Sequence, residues 1–133
     1  METGKQKTIV YIEDDQEMIN LVTLILSKRG YEIKGALNGQ EGIDLINRTL
    51  PDLILLDLMM PDIDGWDVFK VVKSQEKTQN IPVIVITAKA QPIDRVLGLH
   101  VAKVDDYLSK PFRPQELADS IQKIFDNQAQ TSS

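Results

Sequence analysis

Leu53-Ile54-Leu55-Leu56 is apolar at every position, with Pro51-Asp52 before it and Asp57 directly after it. A run this short and this uniformly apolar reads as a strand covered on both faces. Such strands belong to parallel sheets, which need crossover helices packed on either side. The flanking sequence supplies further strands. Thr8 to Ile12 is β-branched and aromatic, Ile81 to Ile86 is again apolar on both faces, and Pro82 suits the start of that strand. Tyr31 to Ala36 reads as a strand whose Lys34 suggests an edge, and Asp105 to Ser109 holds a short fifth one.

Helical periods fill the gaps. Met18 to Lys28 carries apolar residues at Met18, Leu21, Val22 and Ile25, with more at Ile19, Leu24 and Leu26. Asp15 is placed to cap this helix and Gly30 to stop it. Asn38 followed by Glu41 is a capping-box pattern ahead of Ile43 and Ile46. Asp64 or Gly65 starts a helix through about Ser74 that buries Val68, Phe69 and Val72. Pro92 stands at the first position of a fourth helix with Ile93, Val96 and Leu97 apolar. Pro114 opens a last helix with Leu117, Ile121, Ile124 and Phe125 at helical spacing.

Alternation of five strands with five helices predicts an α/β fold: a flavodoxin-like, doubly wound five-stranded parallel sheet in the order 2-1-3-4-5. With 133 residues, 42% of them hydrophobic, one domain is expected over residues 1–126, followed by a polar tail at 127–133. The formal net charge of -5 speaks against direct nucleic-acid binding and against an anionic membrane surface. There is no cysteine, which excludes disulfides, thiolate chemistry and Cys-based metal sites. No apolar run is long enough for a membrane span. Met1 to Lys5 lacks the apolar region of a signal peptide, so a cytoplasmic location is expected.

In this strand order the switch point falls between the first and third strands, and their ends carry Glu13, Asp14 and Asp57. Adjacent strands lie about 4.8 Å apart, so these acids are neighbours at one sheet edge. Clustered carboxylates repel unless a cation binds or one is protonated. With oxygen donors alone, the cation indicated is Mg²⁺. Thr87 and Lys110 end the next two strands on the same edge, supplying a hydroxyl and a positive charge for an incoming phosphate. Together they read as a phosphoryl-transfer site with Asp57 as nucleophile.

From about Lys7 to Asp126 the chain resembles the receiver domains of the two-component response-regulator family. The matching pieces are Ile12-Glu13-Asp14-Asp15, the run from Asp57 to Gly65 with Met60-Pro61 and Asp64-Gly65, Ile86-Thr87-Ala88, and Asp105 through Phe112. The resemblance implies that Asp57 is the phosphoacceptor, and that Asp14, Asp57 and the Met59 carbonyl bind Mg²⁺ directly while Glu13 acts through water. It implies Thr87 as the switch hydroxyl, Tyr107 as the switch aromatic, Lys110 as the phosphoryl partner, and a cis Lys110-Pro111 bond. A histidine kinase or phosphotransfer protein would deliver the phosphoryl group. A downstream protein partner or an output domain outside these residues would read it.

The rival is a Mg²⁺-dependent aspartyl-nucleophile phosphohydrolase, which would want a second acid two residues beyond the nucleophile; Met59 stands there. Neither Met59 nor Lys89, two residues past Thr87, can accept a proton from an attacking water, so slow self-dephosphorylation is expected. Two departures from the family stand out. Ala102-Lys103-Val104 replaces a small, Gly-containing run; left-handed geometry at Lys103 would cost about 1–2 kcal/mol, so the end of the fourth helix is expected to be built differently. Ser120 replaces an Arg usual in the winged-helix transcription-factor subfamily. His100 reads as a surface helix residue and Trp66 as packing.

Overall fold

Thr8–Ile12 (β1), Glu32–Ala36 (β2), Leu53–Leu56 (β3), Val83–Thr87 (β4) and Asp106–Ser109 (β5) form one parallel sheet in the order β2-β1-β3-β4-β5. The computed structural model describes residues 6–88 and 91–131; Lys89 lies outside them. The helices are Gln16–Ser27 (α1), Gly39–Thr49 (α2), Gly65–Ser74 (α3), Pro92–Val96 (α4) and Pro114–Thr131 (α5), with α4 continued by a π-helical segment at Leu97–Ala102.

Side chains alternate across the strands and feed two cores. Ile9, Tyr11, Leu53, Leu55, Ile84 and Ile86 pack with Val22 and Leu26 of α1 and Leu117 and Ile121 of α5. Val10, Ile12, Ile54, Leu56, Val83 and Val85 pack with Ile46 of α2 and Val68, Phe69 and Val72 of α3. This is why Leu53 to Leu56 and Val83 to Ile86 include no polar residue: each is claimed by one core or the other. A buried side chain of this kind contributes about 1.5–3 kcal/mol, more than a helix cap at about 1 kcal/mol.

The caps follow the sequence closely. Asp15 accepts from the N–H groups of Glu17 and Met18. Asn38 accepts from Glu41 N–H at 2.9 Å, but the Glu41 carboxylate reaches back to Leu37 N–H rather than to Asn38. Asp64 caps α3 through Trp66 N–H at 2.8 Å. Gly65 is required by close approach, since a Cβ there would lie 2.4 Å from Leu58 Cα and 2.7 Å from the Asp57 carbonyl.

Some expectations are corrected. On α1 the buried stripe is Ile19, Val22 and Leu26, while Leu21 and Leu24 face solvent; the helix offers more apolar surface than the sheet can cover. The fourth helix begins at Pro92 as its sequence indicates but does not stay α-helical. It changes to π-helical winding at Leu97, and Ile93, Val96 and Leu97 are exposed. Its end is not built differently for want of a glycine: Lys103 itself adopts the left-handed geometry, φ 64° and ψ 42°, and its N–H bonds the Gly98 carbonyl, which offsets part of the backbone cost. Beyond Asp126 the chain continues as helix α5 through Thr131. His100 is exposed.

Candidate functional site

Backbone hydrogen bonds carry the sheet one residue beyond the strands and fix the site residues at its carboxyl edge. Glu13 N–H donates to the Ala36 carbonyl at 2.9 Å, Asp57 N–H to the Ile12 carbonyl at 3.1 Å, and Lys110 N–H to the Thr87 carbonyl at 3.0 Å. The connections after β1, β3 and β5 thus present a carboxylate, a carboxylate and an ammonium at one sheet edge. The peptide bond from Lys110 to Pro111 is cis.

Carboxylate oxygens of Glu13, Asp14 and Asp57 lie within 4.8 Å of one another. Glu13 and Asp57 are buried and Asp14 is exposed, so the cluster opens to solvent on the Asp14 side. It lines a cavity of about 780 Å³ together with Met59, Trp66 and Lys110. The cluster can hold a divalent cation. Its donors are hard oxygens from groups that repel one another, and the cavity leaves room for water and a phosphate.

Lys110 Nζ bridges two of the acids, 2.5 Å from Glu13 Oε1 and 2.8 Å from Asp57 Oδ2. The other Asp57 oxygen accepts from Met59 N–H at 3.0 Å. Burial pushes the Glu13 carboxyl above the ordinary carboxylate range, and its bond to Lys110 pulls the other way. Burial works against the Lys110 ammonium as well, but its bonds to Asp57 and Glu13 hold its pKa above the usual lysine value. Lys110 is therefore charged, and it screens the two buried carboxylates from each other.

Glu13, Asp14, Asp57, Met59 and Lys110 are brought together as the sequence leads one to expect. Thr87 stands at the end of β4, paired in register with Ser109 one residue before Lys110. Its side chain is fully buried, and Ala88 rather than Thr87 lines the cavity. Tyr107 is buried on β5 and lines a separate cavity of about 180 Å³ with Leu97 and Val101. Leu58 and Trp66 line both cavities, and the Trp66 ring packs edge-on against Phe69 at 5.9 Å.

Two participants escape the sequence reading. Tyr11, taken there only as a strand residue, donates its hydroxyl to Glu13 Oε1 at 2.9 Å. The signal was present: residues two apart on a strand share a face. Arg95 bonds the Tyr107 carbonyl and lies 3.8 Å from Asp106, whose other oxygen accepts from Ser120 Oγ. Ser120 is thus committed to a contact within the domain.

The sequence matches the family described as "Response regulator receiver domain" over residues 9–122. A chain from Chloroflexus aurantiacus J-10-fl described as a response regulator is 33% identical, with a TM-score of 0.83 over 90% of this chain and 98% of its own. A response regulator receiver domain protein from Methanospirillum hungatei JF-1 is 27% identical, with a TM-score of 0.86 over 96% and 99%. The signal receiver domain of a signal transduction histidine kinase from Syntrophus aciditrophicus is 30% identical, with a TM-score of 0.81 over 91% of each chain.

Proposed function

The chain belongs to the response regulator receiver domain family, and from that premise we propose that Asp57 is its phosphoacceptor in a two-component phosphorelay. The domain is a phosphoaccepting signalling switch whose chemistry is self-catalysed, not the turnover of a substrate. The observation that carries the assignment to Asp57 is the convergence of Glu13, Asp14 and Lys110 on one buried carboxylate at a sheet edge.

A phosphohistidine on a histidine kinase or phosphotransfer protein is the donor. One Asp57 carboxylate oxygen attacks phosphorus in line, the N–P bond breaks, and its electron pair returns to the imidazole. Glu13, Asp14, Asp57 and the Met59 carbonyl are the candidates to hold Mg²⁺, Asp14, Asp57 and Met59 directly and Glu13 through water. Bound Mg²⁺ supplies positive charge against the carboxylates and the phosphoryl oxygens. Lys110 transfers its ion pair to a phosphoryl oxygen, and the Thr87 hydroxyl donates to another. Tyr107 carries the change outward. Leu58 and Trp66 link the acid cavity to the Tyr107 cavity through packed side chains.

The signal is read by a protein partner or by an output domain joined to residues 1–126. No helix among the described residues is long and apolar enough to cross a membrane. We place the domain in the cytoplasm, where the kinases of such relays present their phosphohistidine.

Acetyl phosphate with Mg²⁺ tests the assignment. One phosphoryl group should appear on Asp57, labile to hydroxylamine, and Asp57→Asn should abolish it. Mg²⁺ at 100 times its dissociation constant should stabilise the domain by about 2.7 kcal/mol, and Asp14→Ala should lose that gain. A label on His100, or an acid-stable label, overturns the assignment.

A further inference from the structure

Glu13 accepts three hydrogen bonds. Tyr11 Oη and Lys110 Nζ share Oε1, at 2.9 and 2.5 Å, and Asp15 N–H donates to Oε2 at 3.2 Å. The two donors on Oε1 differ in kind. Lys110 reaches the site on a flexible side chain from the end of β5 and serves Asp57 at the same time. Tyr11 is fully buried in the middle of the sheet, paired in register with Gly35 and Leu55 on either side, so its ring is fixed by the core.

We propose that Tyr11 is a positioning residue of the phosphoryl-transfer site: its hydroxyl holds the Glu13 carboxylate in place when Lys110 moves from Glu13 to the phosphoryl group. This rests on the function proposed above for Asp57 and Lys110. Glu13 is 1% exposed, so beyond the water that a bound Mg²⁺ would bring to it, solvent has little access to its oxygens. A buried carboxylate oxygen that loses a donor bears the full desolvation penalty unless another donor stays. Before phosphorylation Lys110 covers Oε1, and the Tyr11 hydroxyl is the second of two donors there. Afterwards Tyr11 is the side-chain donor that remains. Its contribution is therefore larger in the phosphorylated state than in the resting one, and its loss ties Lys110 to Glu13. A phenylalanine at position 11 fills the same core volume and lacks only the donor.

The test uses Mg²⁺ and beryllofluoride, a phosphoryl mimic, on the wild-type domain and on Tyr11→Phe. Binding is followed by the fluorescence of Trp66, the single tryptophan, which lines the acid cavity. At saturating Mg²⁺ the dissociation constant for beryllofluoride should rise about tenfold in Tyr11→Phe, the equivalent of one charge-assisted hydrogen bond. The gain in melting temperature on adding beryllofluoride should shrink with it. A merely structural tyrosine would lower the melting temperature equally with and without ligand and leave the dissociation constant alone; that result overturns the proposal. In a Glu13→Ala background Tyr11→Phe should change nothing further, and a tenfold loss there overturns it too. A wild type that ignores both ligands overturns the function proposed for the site, and this inference with it. A wild type that responds, matched by an equal response in Tyr11→Phe, overturns this inference alone.

Discussion

Lys110 Nζ lies 2.8 Å from Asp57 Oδ2, so the proposed phosphoacceptor is held by a cation supplied by the chain itself. The same ammonium sits 2.5 Å from Glu13. This ammonium lines the acid pocket and occupies lone pairs on two of its three clustered acids.

Replacing Lys110 by Met should therefore act in opposite directions on two measurements. Resting stability falls by roughly 1.5–3 kcal/mol, the cost of hydrogen bonds lost by charged groups. Affinity for Mg²⁺ rises, because the carboxylates are no longer partly neutralised. Urea unfolding gives the first and a fluorescence titration of Mg²⁺ the second. Weaker Mg²⁺ binding in Lys110→Met would show that the lysine organises the metal site and does not compete with it.

Met59 is 58% exposed and lines the acid cavity, and its N–H holds Asp57 in place. Its thioether is a weak acceptor and cannot orient a water for in-line attack on phosphorus. Met59→Asn keeps the backbone N–H and adds an amide that can both accept and donate. Decay of the phosphorylated domain in Mg²⁺ should be faster in this variant. Equal decay rates would mean that the side chain at 59 does not govern the lifetime.

Lys103 ends the π-helical segment in the left-handed region at φ 64°. A non-glycine residue there costs about 1–2 kcal/mol. Glycine removes that strain but regains about 0.4–1 kcal/mol of unfolded-chain entropy. The difference favours Lys103→Gly, which should stabilise the domain by roughly 0.5–1 kcal/mol in urea unfolding. Lys103→Val, β-branched at positive φ, should destabilise it. A glycine variant less stable than wild type would show that the lysine side chain makes up for its backbone.

Asp62 accepts from Gly39 N–H at 2.8 Å and Gln40 N–H at 3.1 Å, tying the loop after Asp57 to the start of α2. The Gly39 bond leads the causes that hold its carboxyl below the ordinary value of 3.8. A depressed folded pKa means stability that is present above the unfolded pKa and is lost as pH falls through the folded one. Asp62→Ala should thus melt below wild type at pH 7, and the gap should close as pH drops below 3.8. A gap that persists in strong acid would assign the loss to something other than the carboxylate.

How much of this was legible beforehand differs from element to element. Uniformly apolar Leu53 to Leu56 dictates a strand with two covered faces, and hence a parallel sheet with helices on both sides. Asp15, Asn38 and Asp64 cap their helices as local hydrogen-bonding chemistry requires. The strand ends then bring Glu13, Asp14, Asp57 and Lys110 to one edge, because parallel strands in this order leave no other place for them. These are consequences of periodicity and backbone geometry, which act over a few residues and can be read from the chain. What surrounds each side chain cannot. Leu21 and Ile93 have the right residue type for a core and are exposed, because the sheet area available to each helix is set by all the others. The bonds from Tyr11 to Glu13 and from Arg95 to the Tyr107 carbonyl depend on rotamers chosen by the packed neighbours. So does the link through Trp66 between the two cavities. Local sequence placed the groups at the edge; only the tertiary packing decided which donor faces which acceptor.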